Sequence, residues 1–317
     1  MNMRKLKIAF CGLGSIGRRH IKNTALYLHQ HNFEYEIDAI RHDTSKEIDP
    51  EIADYITSVY SYDDEIAFDY DVIFITNPTS QHYSTIKKYS THTANMFIEK
   101  PVFEKTDYDI SPLKLKNDGI YYVACPLRYT NVIKYLAENV NCSQAYAVRT
   151  ICSSYLPDWR LGIDYRETYS AHKNMGGGVS IDLIHEWDYL IYLFGCPEKM
   201  MYMSGKYSNL EIDSDDLAVY IGSSKNRIIE VHLDYFGRKN IREIEIFLPD
   251  DTIKADLVNG KISYTRSEKI IDLSENRNDY QMREIAHFFD IIRKNCTNDN
   301  DIYKAIQTLK IAKGEYL

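Results

Sequence analysis

The chain has no Cys-x-x-Cys pair, no long apolar run and no excess of positive charge. Its six cysteines (Cys11, Cys125, Cys142, Cys152, Cys196 and Cys296) are scattered. That excludes a zinc-ribbon or disulfide framework and reads as buried thiols in a reducing compartment. No stretch approaches the ~20 apolar residues of a membrane span. The short apolar run at 8–11 ends in glycine and reads as a first strand, not a signal peptide. With 38 Lys and Arg against 46 Asp and Glu, the net charge is −8. A nucleic-acid binder, or a protein held to an anionic membrane, carries the opposite balance. Internal repeats and low-complexity linkers are absent too. His185-Glu186 fails the His-Glu-x-x-His test, because Tyr189 stands at the second ligand position, so no metal site is expected. What remains is a 317-residue chain, 44 % hydrophobic, long enough for two domains with sizeable cores. The expectation is a cytoplasmic protein acting on a small molecule, with neither nucleic acid nor membrane as partner.

The most informative stretch opens the chain. The run at 8–11 breaks into Gly12-x-Gly14-x-x-Gly17, and a helical pattern follows. Strand, glycine turn and helix in that order are the context a dinucleotide-binding loop needs. Gly12 permits the tight turn, Gly14 lets the backbone approach a pyrophosphate, and Gly17 lets the helix pack against the strand. The helix N-terminus, with Ser15 and Ile16 in its first turn, offers free N–H groups and a positive dipole end to phosphate.

Strand and helix signals then alternate. Strands are expected at 35–40, 71–76, 96–98 and 120–124, and helices at 21–28, 79–89 and 107–115. Apolar runs without alternation suit a parallel sheet buried on both faces, so a doubly wound α/β domain is expected over 1–125. After Cys125-Pro126 the pattern changes. A helix at 131–139 and a strand at 145–151 precede a polar, aromatic and basic loop at 153–175. Gly176-Gly177-Gly178 then opens one long helix to Phe194. Strands at 217–221, 227–235, 242–247 and 252–256 follow without helices between them, which predicts an antiparallel sheet within a second α/β domain over 126–317. Helices at 280–294 and 302–317 close the chain.

In an open α/β sheet, ligands bind outside the carboxyl ends of the strands. Three such ends carry polar residues: the glycine loop, Thr76-Asn77-Pro78, and Glu99-Lys100-Pro101. Pro101 biases Lys100 toward extended backbone, pointing it at the cofactor crevice; a solvated loop lysine is the plainer reading. Asp182-x-x-His185 puts a carboxylate and an imidazole on one helical face, a suitable acid/base pair, or a core histidine satisfied by its neighbour. Arg128, Trp159, Arg160, Tyr165 and Arg166 interleave cations with aromatics, as an anionic substrate requires, or as a salt-bridged surface loop does.

Four motifs in this order, GLGSIGRRH at the start, TNPTSQH at 76–82, EKP at 99–101 and GGGVSIDLIHEWDYL at 176–190, resemble the glucose–fructose oxidoreductase / inositol dehydrogenase / MocA family over nearly the whole chain. The resemblance implies an N-terminal Rossmann domain and a C-terminal α/β domain whose large, mainly antiparallel open sheet makes an oligomer interface, in a homodimer or homotetramer. It implies NAD(P)-dependent hydride transfer to or from a sugar, cyclitol or sugar nucleotide. Lys100, Asp182 and His185 fall on the family's catalytic positions. Gly12, Gly14, Ser15, Ile16, Gly17, Arg41, Thr76, Asn77, Pro78, His82, Glu99 and Lys100 fall on the cofactor side. Two features refine this. The second strand ends in Arg41-His42-Asp43, where Arg41 suits the 2′-phosphate of NADP and Asp43 a ribose hydroxyl of NAD; the lean is to NADP. The loop PDWRLGIDYRETY resembles members found with bacterial surface-polysaccharide pathways, pointing to an anionic sugar derivative. The alternatives are an NAD-dependent glycosidase of the same superfamily and a non-catalytic dinucleotide-binding regulator.

Overall fold

Four-residue apolar runs with no polar interruption become the inner strands of a parallel sheet. The computed structural model describes residues 5–224 and 226–315. The chain forms two compact units, residues up to 124 with 281–306, and 125–280 with the segment from 307 onward. The first unit contains β1 (Leu6–Cys11), β2 (Tyr35–Arg41), β3 (Ser58–Ser61), β4 (Val72–Ile75), β5 (Asn95–Ile98) and β6 (Ile120–Val123), with α1 (Ser15–Gln30), α2 (Pro50–Ala53) and α3 (His82–Tyr89). All six strands are parallel in the order β3-β2-β1-β4-β5-β6, so the order reverses between β1 and β4, the place where doubly wound sheets bind dinucleotides. Ile8, Phe10, Ile73, Phe74, Met96 and Phe97 have no solvent exposure. Phe10 stacks on Phe74 at 4.3 Å and Phe74 on Phe97 at 5.0 Å between ring centroids.

The helix expected at 107–115 does not form; only the 3-10 turn Ser111–Leu113 does. Pro112 and the Asp109 carboxylate, which accepts the Ser111 N–H at 2.9 Å, favour a turn over a helix there. The strand β3 was not expected.

In the second unit, α4 (Asn131–Asn139), α5 (Val179–Asp182) and α6 (His185–Phe194) accompany β7 (Ala147–Tyr155), β8 (Lys199–Gly205), β9 (Leu217–Ser224), β10 (Arg227–Asp234), β11 (Phe236–Phe247), β12 (Thr252–Asp256), β13 (Lys261–Tyr264) and β14 (Ile270–Asp272). The sheet order is β14-β13-β12-β11-β7-β10-β9-β8. Every pairing is antiparallel except β7 with β10. One face is core, with Val148, Tyr220, Val231, Ile244 and Ala255 buried and Trp187 of α6 set edge-on to Tyr220 at 5.2 Å. The other face stays open. Met201, Met203 and Ile221 are 73, 70 and 47 % exposed there, beside a charged stripe in which Arg149 lies 3.2 Å from Glu230 and 3.5 Å from Glu245.

Two further helices, α7 (Arg277–Ile292) and α8 (Ile302–Ala312), close the chain. Residues 281–306 group with the first unit, a return that the two-block division at 125/126 did not contain. Phe288 packs edge-on against Phe97 at 5.3 Å. Asn300 pairs with both backbone groups of Val123, which covers the free edge of β6. Amphipathic periodicity at 280–294 predicts a helix but does not say which core its apolar face joins.

Candidate active site

β1 and β4 end side by side, and their ends are stitched together. The Thr76 hydroxyl lies 2.8 Å from the Gly12 carbonyl oxygen and 3.1 Å from that of Cys11. Gly12 holds φ +103°, and a Cβ there would sit 2.7 Å from the Asn77 backbone. A Cβ on Gly17 would press into the Gly12 carbonyl oxygen and stand 2.9 Å from Thr76 Oγ1. The loop is therefore closed on its inner side by close approach of backbone to backbone. On its outer side it is open: a Cβ on Gly14 would meet nothing within 4 Å. Ser15 and Ile16 begin α1, whose first-turn N–H groups have no side-chain cap. A dinucleotide pyrophosphate fits this cradle, open above Gly14 with unclaimed helix N–H groups facing it.

The neighbouring motif residues brace the loop. Asn77 donates its amide to Thr85 Oγ1 at 2.8 Å, and Pro78 precedes the 3-10 turn Thr79–Gln81. His82 was expected among the cofactor contacts; the structure buries it instead, its ring nitrogens 3.0 Å from the Asn77 carbonyl and 3.1 Å from that of Val102. Burial pushes its pKa down, so it serves as a backbone pin. Glu99 is likewise inward, with Oε1 2.6 Å from His20 Nε2 and Oε2 accepting the Lys100 N–H at 3.0 Å. Burial opposes its charge, but the His20 bond and the charge of Lys100 outweigh it and hold the carboxyl below the usual carboxylate range. Glu99 thus fixes the backbone of Lys100, which is half-buried. At the end of β2, Arg41 donates to the Lys46 carbonyl at 3.1 Å. The exposed Asp43 carboxylate is taken up by the Ser45 N–H and hydroxyl, which lower its pKa.

In the second unit the helix expected from Gly178 to Phe194 is broken. Leu183 takes φ −95° and ψ 24°, ending α5 directly after Asp182, and α6 starts at His185. The two residues bracket a break; they are not one turn apart on a continuous face. The start of α5 is anchored from another segment: the Asp215 carboxylate accepts the Ser180 N–H at 3.1 Å and occupies the space a Gly178 side chain would need. Asp182 is buried and accepts the Tyr235 hydroxyl at 2.6 Å. Desolvation, then the charge and hydrogen bond of Asp182, raise the pKa of Tyr169, so two phenols hold this carboxylate. His185 is half-buried at the first turn of α6. Tyr189 is not part of this group; it is buried and donates to Glu186, which also pairs with Arg242 at 3.0 Å. Burial raises the Glu186 pKa.

The basic loop divides. Arg128 was expected to bind substrate; its guanidinium instead makes a buried two-pronged pair with Asp188, at 2.9 and 2.7 Å. Arg166 is exposed and neutralised by Asp164 and Glu211, at 2.7 and 2.6 Å. Arg160 lies over the Tyr169 ring. Trp159 stands edge-on to Tyr235 at 5.2 Å and donates to Ser154 Oγ at 2.9 Å. Tyr235, Tyr169 and Asp215 escaped the sequence reading, since nothing near them in the chain marks their partner. Among the described residues no group of three or more His, Cys, Asp or Glu side chains is placed to hold a metal ion. Four cysteines are buried thiols, but Cys196 is half-buried and Cys296 exposed.

Residues 6–109 match the profile of the oxidoreductase family with an NAD-binding Rossmann fold. An oxidoreductase of Bacillus subtilis, YrbE, is 24 % identical over 96 % of this chain and 87 % of its own length. The structure of UDP-N-acetylglucosamine 3-dehydrogenase GnnA from Acidithiobacillus ferrooxidans is similar with a TM-score of 0.76, at 17 % identity over 98 % of this chain and 97 % of that one. Levoglucosan dehydrogenase in complex with NADH and levoglucosan is similar with a TM-score of 0.78, at 16 % identity over 98 and 96 % of the two chains.

Proposed function

We propose, for a chain that belongs to the glucose–fructose oxidoreductase / inositol dehydrogenase / MocA family and is an NAD(P)-dependent dehydrogenase, that its substrate is an anionic sugar derivative, a sugar nucleotide in the first place, oxidised or reduced at a carbinol carbon. The observation that carries the cofactor side is the glycine loop at the switch point, closed at Gly12 and Gly17 and open above Gly14. Gly12, Gly14, Gly17 and the first turn of α1 would hold the pyrophosphate, and Arg41 the ribose end. A bound nicotinamide dinucleotide supplies the acceptor or donor of hydride. The protein's own groups handle the proton and the charge. His185 takes the hydroxyl proton, or returns it in reduction. Lys100 hydrogen-bonds the carbinol oxygen and stabilises alkoxide character. Asp182, held by Tyr235 and Tyr169, orients His185 or the substrate. Trp159, Arg160 and Tyr165 remain the substrate-binding candidates; Arg128 and Arg166 are committed elsewhere. That GnnA acts on a UDP-sugar supports the substrate class by analogy.

NADP is the favoured cofactor, because Arg41 puts a cation at the end of β2, where a 2′-phosphate would be recognised. The test is a panel of sugar nucleotides and sugar acids with NADP⁺ or NAD⁺, read by nicotinamide absorbance. At least one anionic substrate should be oxidised, with higher kcat/KM for NADP⁺. Turnover of neutral sugars alone would contradict the substrate class, and a preference for NAD⁺ the role of Arg41.

We assign a homodimer or homotetramer to the open face of the eight-stranded sheet. Its apolar edge around Met201, Met203 and Ile221 is more than scattered exposure. Light scattering at micromolar concentration should give at least twice the monomer mass, and Met201→Lys with Met203→Lys should halve it. A wild-type monomer would overturn the assignment. No helix among the described residues is long and apolar enough to cross a membrane, and a reducing cytoplasmic setting suits six cysteines that form no disulfide.

A further inference from the structure

An open cavity of about 470 Å³ lies wholly within the second unit, lined by Tyr155, Tyr165, Tyr207, Phe236 and Arg238 among others. Four aromatic rings around one volume are more than a single sugar ring can use. Among the described residues no acid pairs with the cation at its edge. Arg238 is exposed, and its guanidinium lies over the Tyr155 ring, 3.7 Å from the centroid. Three acids that flank the lining segments are engaged elsewhere. Asp234 accepts the N–H groups of Phe236 and Gly237, at 3.1 and 2.7 Å. Asp216 accepts those of Tyr207 and Ser208, at 2.7 and 3.0 Å. Glu211 is paired with Arg166.

The same bonds build the walls. Asp234 and Asp216 are 3 and 0 % exposed, and each fixes the backbone that presents an aromatic residue to the cavity. Tyr165 is held from the other side, its hydroxyl accepting the Glu211 N–H at 3.1 Å. The rings and the cation therefore stand in place before any ligand arrives, which lowers the cost of binding. Planar rings favour a base and a guanidinium favours phosphate, and the volume is within the range of small-molecule sites.

We propose that this cavity binds the nucleoside diphosphate part of the substrate, with the base against the tyrosine rings and a phosphate on Arg238; the assignment rests on the sugar-nucleotide reading above. The strand end that carries Phe236 also carries Tyr235, the partner of Asp182, so nucleotide recognition and the carboxylate share one support.

The test is calorimetric titration of UDP into the full-length protein saturated with NADPH, which keeps UDP off the glycine loop. UDP should bind, and uridine about tenfold or more weaker. Arg238→Gln should weaken UDP at least tenfold while leaving uridine and NADPH within twofold. Tyr207→Ala, at an exposed position, should weaken UDP and uridine together. Absence of UDP binding, or equal binding to wild type and Arg238→Gln, overturns the site. If a sugar without a nucleotide is the substrate and both variants keep its kcat/KM, the site is also overturned while the dehydrogenase reading stands. If UDP behaves as expected but no sugar derivative is turned over, the site stands and the proposed substrate class falls.

Discussion

Replacing Lys100 by methionine is expected to lower kcat on the order of 10³-fold, because it removes one positioned charge from an oxygen that gains negative character in the transition state. Methionine keeps an unbranched, flexible stem of similar length. The backbone of residue 100 is held by Glu99 through an N–H bond that the substitution leaves intact, and Glu99 is in turn fixed by His20. The fold around β5 should therefore survive, and dinucleotide affinity should stay within about threefold, since binding energy comes mainly from the glycine loop. Steady-state kinetics beside a fluorescence titration of NADPH separate the two effects. A variant with kcat within tenfold of wild type would remove Lys100 from the reacting oxygen. One that loses dinucleotide binding as well would make it a cofactor ligand.

Arg128→Met is expected to destabilise the protein by about 3–5 kcal/mol, the cost of leaving one partner of a buried ion pair alone. Arg128 and Asp188 have side-chain exposures of only 7 and 10 %, and both prongs of the guanidinium are used. The thermal midpoint should fall by on the order of 10 °C. The double variant Arg128→Met with Asp188→Leu should recover most of that loss, because an apolar pair of similar volume avoids burying the orphaned charge. The outcome also separates two roles. A substrate-binding arginine would raise KM and leave the midpoint unchanged, and that result would restore the assignment the sequence favoured.

The parts of the fold that were legible in the sequence are those where local pattern and tertiary role coincide. The run at 8–11 is apolar throughout because β1 lies between β2 and β4, and the glycines after it stand in one compact motif, readable without knowing that Thr76 and Asn77 are what they approach. Long-range partners were not legible. His20 and Glu99 are 79 residues apart, Arg128 and Asp188 are 60, and Asp182 and Tyr235 are 53; the sequence marked Glu99, Arg128 and Asp182 as site residues but not the partners that the topology gives them. Helical periodicity runs unbroken from Val179 to Phe194, so nothing in it marks the break at Leu183. Short strands such as β14, with three residues, are too brief to show a period. Lys100, Asp182 and His185 were singled out because their motifs are compact; the groups that hold Lys100 and Asp182, Glu99 through His20 and Tyr235, are distributed along the chain.

The most direct measurement is the absorbance of reduced nicotinamide when the protein is mixed with NADP⁺ or NAD⁺ and the sugar-nucleotide and sugar-acid panel, after a binding titration of all four dinucleotide forms. The expected result is binding of at least one form, followed by stoichiometric reduction of the oxidised cofactor by at least one anionic sugar derivative and loss of that signal in Lys100→Met. If none of the four forms binds, the glycine loop at Gly12–Gly17 does not hold a dinucleotide, and the roles assigned to Lys100, Asp182 and His185 fall with it.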